Sequence, residues 1–86
     1  MTVSLRLFAA AREAAGRGLD EVDAVDAPTV DALLAAAEKT YGPTFAQVLA
    51  RSRVWVNGDE PSDGRATRLA DGDEVAVLPP VSGGIA

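Results

Sequence analysis

Cysteine and histidine are both absent from this 86-residue chain, and lysine occurs once, as Lys39. Without cysteine there can be no disulfide, no thiolate metal site and no cysteine nucleophile. Without histidine the usual general base near neutral pH and the commonest metal ligand are missing. Ser4, Ser52, Ser62 and Ser82 therefore lack the partner that a serine triad requires. No stretch approaches the ~18 apolar residues of a membrane span. The opening Met1-Thr2-Val3-Ser4-Leu5-Arg6 has no basic segment leading into a long apolar run, so no signal peptide is visible and the cytoplasm is the expected location.

What is present is an ordinary globular composition, 48% hydrophobic and 24% charged, which argues against disorder. At 86 residues the chain supports one core and not two. The net charge of −5 argues against non-specific binding to nucleic acid or an anionic membrane and favours a basic docking surface on a partner. A small acidic chain without cysteine or histidine reads as a binding module, carrier or subunit, not as a self-sufficient enzyme.

Val3-Ser4-Leu5-Arg6-Leu7-Phe8 alternates apolar and polar positions, the period of a half-buried strand. Ala9 to Ala15 reads as a short helical turn closed by Gly16 and Gly18, and Leu19 to Val25 as a charged edge strand antiparallel to the first. The clearest element is an amphipathic helix over Thr29 to Tyr41. Thr29 caps it, Asp31 suits the dipole, Val30, Leu33, Leu34, Ala37 and Tyr41 form its apolar stripe, and Gly42-Pro43 stops it. Thr44 to Ala50 adds a further turn. Val54-Trp55-Val56 runs into the hairpin signal Asn57-Gly58, with a very short returning strand expected over Glu60 to Ser62. Glu74 to Leu78 is the last strand, ended by Pro79-Pro80, neither of which can donate to a ladder.

This order predicts an α+β domain: a mixed sheet with one main helix packed across one face. Residues 1–80 form the domain and 81–86 a tail. The second sheet face is left free for a partner. Strand parity puts Val54, Val56, Val75 and Val77 under the helix, and Arg6, Phe8, Arg53, Trp55, Ala76 and Leu78 on the open face. Phe8, Trp55 and Leu78 would make an apolar patch of the kind that marks an interface. Pro79, Pro80 and Val81 lead from that patch into the tail.

Few residues carry chemistry. Asp71 and Asp73 flank Gly72, which falls short of a calcium loop and reads as a solvated turn. Asp20, Glu21, Asp23 and Asp26 read as a solvated edge; Arg6, Arg51 and Arg53 could bind an anion but, scattered on an acidic chain, read as surface. No metal site is expected. The tail is different: Gly83-Gly84 has no side chains, so it can thread a channel that any Cβ would block. Val81 to Gly84, fully extended, reaches about 13 Å.

The segment Leu69-Ala70-Asp71-Gly72-Asp73-Glu74-Val75-Ala76-Val77-Leu78-Pro79-Pro80-Val81-Ser82-Gly83-Gly84 resembles the terminal signature of the MoaD/ThiS family of ubiquitin-like sulfur carriers. Leu7 to Gly16, Pro28-Thr29-Val30 and Val56-Asn57-Gly58 resemble its MoaD branch, the small subunit of molybdopterin synthase, in the right order. The diproline followed closely by Gly-Gly is the most specific part. The resemblance implies a β-grasp fold and a carrier mechanism. A partner resembling ubiquitin-activating enzymes uses ATP to adenylate the terminal glycine carboxylate, and sulfur then converts it to a thiocarboxylate. In the MoaD branch the tail enters the large subunit of molybdopterin synthase and donates sulfur to a pterin precursor. Gly84 would be the modified residue and Gly83 its neighbour in the channel. No cofactor would be bound to the chain itself.

One departure matters: Ile85-Ala86 follow Gly84, so its carbonyl lies in a peptide bond and offers no carboxylate. A tail-trimming protease joins the implied partners on this ground. The same tail chemistry serves other customers (thiamine, cysteine, a thiolated tRNA base, a natural product) or a ubiquitin-like modifier of lysines. An interaction domain whose tail is never activated is a further alternative.

Overall fold

In a computed structural model, which describes residues 2–23 and 29–80, the elements follow in the order β1 (Thr2–Leu7), α1 (Ala9–Ala15), β2 (Leu19–Asp23), α2 (Val30–Tyr41), α3 (Pro43–Leu49), β3 (Arg53–Val56) and β4 (Glu74–Leu78). The strands form one mixed sheet in the order β2-β1-β4-β3. β1 pairs antiparallel with β2 and parallel with β4, while β3 pairs antiparallel with β4. The parallel central pair needs a long crossover, and the helices supply it.

Each element follows from its local chemistry. Thr29 caps α2, its hydroxyl oxygen accepting from the Ala32 N–H at 3.1 Å. Gly42 takes φ +95 between α2 and α3, and Pro43 opens α3 where a missing N–H costs nothing. Asn57 and Gly58 both take positive φ, as a two-residue hairpin turn of the I′ kind requires, and Val56 bridges to Asp59 across it.

The core lies between the helices and the inner sheet face. Val3, Leu5, Val30, Leu33, Leu34, Phe45, Val75 and Val77 are fully buried, with Leu7, Ala11, Ala37, Val48, Leu49 and Leu69 around them. Val54 and Val56 pack against this cluster from the edge strand, half-buried. Tyr41 meets Phe45 edge-on, ring centroids 5.1 Å apart.

Three expectations need correction. Glu60 to Ser62 is not a strand: the return after Asn57-Gly58 stops at the single Val56–Asp59 bridge, and the chain winds into a 3-10 turn over Gly64–Ala66. Pro61 has no N–H to extend a ladder, and the Asp63 N–H is taken by the Thr67 hydroxyl. The acidic edge is also less uniform than its composition suggests. Asp20 turns to the helix side and accepts a short hydrogen bond from the Tyr41 hydroxyl, tying the end of α2 to β2. The third is the turn before β4, which is built and not merely solvated. Asp73 accepts from the Ala70 N–H and from Asn57 Nδ2, and Asp71 from the Thr2 N–H. The expected end of β2 at Val25, and Pro28, lie outside the described residues.

Candidate functional site

The open sheet face is set by register. Arg6 lies between Leu19 on β2 and Ala76 on β4, and Ala76 lies opposite Trp55 on β3. One row across the sheet therefore reads Leu19, Arg6, Ala76, Trp55. The next row toward the tail holds Leu78 and Arg53, which face each other across β4 and β3. Phe8 joins this end because its N–H still donates to the Val77 carbonyl before the chain turns into α1. In the opposite direction the face turns acidic, with Glu21, Ser4 and Glu74 aligned.

The expected interface residues are thus brought together. Arg6, Phe8 and Arg53 are exposed, while Trp55, Leu78 and Pro79 are half-buried and Pro80 is exposed. Among the described residues, Phe8 and Leu19 are the large apolar side chains left most open, at 42% and 47% of their surface. Leu19 was not among the expected interface residues. Its place on this face depends on the β1–β2 register, and parity within β2 alone does not give that. Arg6 is not a free charge: its Nε lies 2.5 Å from Glu74 Oε2.

Arg51 and Arg53 are different. Both are exposed, and neither has an ion-pair partner among the described residues. With Leu78, Pro79 and Pro80 they line a cleft of about 350 Å³ at the root of the tail. Arg51, read from sequence as surface, so belongs to the site. The net charge of −5 does not report this local basic pair, which lies at the other end of the face from Glu21 and Glu74. Trp55 adds an unusual feature: its indole Nε1 is buried and has no hydrogen-bond partner among the described residues. Gly83, Gly84 and Val81 lie outside the described residues.

The Tyr41 hydroxyl is pushed up to about 12 by burial and then by its bond to, and the charge of, Asp20. It sits on the helix side, away from the open face, and acts as a clasp. The described domain therefore carries a face with an apolar centre, an acidic end and an arginine pair beside Pro79 and Pro80.

Among the described residues, a mixed four-stranded sheet with its helices on one face defines a ubiquitin-like β-grasp domain. The chain belongs to the ThiS family, whose family model matches residues 5–84. This is a family of ubiquitin-like sulfur carriers and modifiers. Small archaeal modifier protein 3 from Haloferax volcanii is 36% identical over 92 residues, covering 98% of this chain and all of that one. The crystal structure of small archaeal modifier protein 1 from the same organism aligns with a TM-score of 0.82 at 30% identity, covering 98% of this chain and 100% of that chain. A chain of the complex between subunits 1 and 2 of the molybdopterin-converting factor from Helicobacter pylori aligns with a TM-score of 0.69 at 26% identity, covering 98% of this chain and 100% of that chain.

Proposed function

We propose that this chain is a sulfur carrier activated at Gly84 after removal of Ile85-Ala86. The observation that carries the proposal is the family match, which runs through Gly83-Gly84 and stops there. The docking face beside Pro79-Pro80 supports it, because a partner seated there meets the tail at its root. A partner adenylyltransferase joins the Gly84 carboxylate to AMP and releases pyrophosphate. Sulfide then attacks the acyl carbon, AMP leaves, and a thiocarboxylate remains. ATP is the partner's substrate and not a ligand of this chain. The likeness to a molybdopterin-converting-factor complex supports molybdopterin biosynthesis as the customer and a second, larger subunit as a docking partner. The chain contributes no catalytic side chain, and the reaction takes place in the partners' active sites, in the cytoplasm.

A second reading has its own support. Two of the relatives are named as modifiers. In that reading a lysine amine of another protein displaces AMP from the same acyl-adenylate, and an isopeptide bond forms with loss of a proton. The two readings share activation and diverge at the nucleophile. The trimmed chain, incubated with its adenylyltransferase and ATP, is offered sulfide in one reaction and lysine-bearing protein acceptors in another. A thiocarboxylate that delivers sulfur to the pterin-processing large subunit supports the carrier. Conjugates alone support the modifier.

A further inference from the structure

The outer edge of β3 carries groups that the fold leaves unsatisfied. In an antiparallel ladder, successive residues point their N–H and C=O alternately toward and away from the partner strand. Val56 exchanges its N–H and C=O with Asp59, outside the ladder, while Asn57 donates to the Glu74 carbonyl of β4. By alternation Ser52, Val54 and Val56 point outward. The Ser52 N–H is taken by the Leu49 carbonyl and Val56 by Asp59. Val54 alone of these presents both groups to the outside with no partner among the described residues.

The surroundings of Val54 are specific. Arg53, Val54, Trp55 and Glu60 line a cleft of about 220 Å³. Arg53 is shared with the tail-root cleft, where Arg51 stands beside it. An open sheet edge is a template for another strand.

We propose that the β3 edge is a strand-addition site for an extended acidic segment of the adenylyltransferase that activates the tail. The segment's backbone exchanges hydrogen bonds with Val54. Its carboxylates lie against Arg51 and Arg53. Arg53 lines both this cleft and the one beside Pro79 and Pro80, so a partner that engages the chain there reaches the β3 edge as well, and the bare arginine pair selects an acidic segment. The inference rests on the proposed function and adds to it a binding mode that the open sheet face alone does not give.

The test uses a proline. The Val54 N–H faces away from β4, so Val54→Pro removes the outward donor while sparing the β3–β4 ladder, the edge position where proline is tolerated. Binding of the trimmed chain to its adenylyltransferase is measured by calorimetry for the unsubstituted protein, Val54→Pro and the Arg51→Glu/Arg53→Glu pair, and hydrogen exchange of the Val54 amide is followed with and without the adenylyltransferase. Far-UV circular dichroism checks that each is folded. The proposal expects Val54→Pro to weaken binding about tenfold, the arginine reversal to weaken it more, and the Val54 amide to be protected from exchange in the complex. Should Val54→Pro fail to fold, the Val54 amide carries the test: exchange unchanged by the adenylyltransferase overturns the inference. Normal affinity in the folded variants overturns the inference and leaves the carrier reading standing. A concentration-dependent dimer that Val54→Pro dissolves assigns the edge to a second copy and overturns it too. No binding of the unsubstituted chain by the adenylyltransferase removes both the inference and the function it rests on.

Discussion

Val77 and Leu78 are neighbours on β4, yet they belong to different surfaces, and replacing each with aspartate should have opposite consequences. Val77 is fully buried beneath the helices, whereas Leu78 is half-buried on the open face opposite Arg53. Val77→Asp forfeits roughly 1.5–3 kcal/mol of apolar burial and places an unpaired carboxylate in the core, at a cost of several kcal/mol more. At ~0.05–0.15 kcal/mol per residue, a chain of 86 residues holds roughly 4–13 kcal/mol in all, so most or all of its stability disappears. Leu78→Asp gives up only part of a side chain's burial, about 1 kcal/mol, and sets a carboxylate across from the Arg53 guanidinium. It should melt within several degrees of the parent while binding its adenylyltransferase at least about tenfold more weakly, since the apolar centre and the arginine pair are both compromised. Thermal unfolding followed by circular dichroism, with calorimetric binding on the same samples, separates the two outcomes. If Leu78→Asp unfolds like Val77→Asp, the assignment of faces is wrong. If it folds and binds normally, the open face is not the docking surface.

Other expectations follow from the same geometry. The Tyr41 hydroxyl is raised from 10.0 to about 12 in the folded chain, so the unfolded chain ionises first as pH climbs. The stability this contributes is fully present below pH 10 and is lost as pH rises toward 12. Discounted for the tyrosine's partial exposure, it is on the order of 1 kcal/mol. Tyr41→Phe should flatten that alkaline limb in pH-dependent denaturation, and an unchanged limb would contradict the clasp to Asp20. Thr29→Ala removes the α2 cap and should cost about 1 kcal/mol, lowering the melting temperature by about 4–8 °C; no shift would mean the cap is idle. Gly84→Val in the trimmed chain should abolish activation without altering the melt, because a β-branched side chain cannot follow a glycine path through a narrow channel. The partner on-rate should fall as salt rises, and a rate indifferent to salt would remove charge from the account of docking.

Most of the fold is legible in the sequence because each element carries its own local reason. The alternation of Val3, Leu5 and Leu7 and the stripe Val30, Leu33, Leu34, Ala37 fix which side is buried. Thr29, Gly42-Pro43 and Asn57-Gly58 fix where the chain turns. What the sequence conceals depends on register and on contacts between distant segments. Leu19 joins the open face only because it pairs with Arg6. Asp20 leaves the acidic edge only because Tyr41, 21 residues later, arrives above it. Arg51 looks like any surface arginine until β3 packs beside β4 and brings it to Pro79 and Pro80. Residues 60–62 mislead for a local reason, since Pro61 removes the donor a returning strand would need. The family resemblance is legible for a separate reason: it lies in the order of short motifs, above all the diproline followed by Gly83-Gly84. That order is a property of the sequence, independent of the packing.

The central claim is that Gly84 is the reactive end of this protein once Ile85-Ala86 are gone. Intact-mass spectrometry tests it on two forms, the 86-residue chain and the same chain ending at Gly84. Each is incubated with its adenylyltransferase, ATP and a sulfide source. The account predicts replacement of one carboxylate oxygen by sulfur in the shortened form and no change in the longer one. Sulfur gained by the longer chain with Ile85-Ala86 still attached, or by neither form, would contradict it.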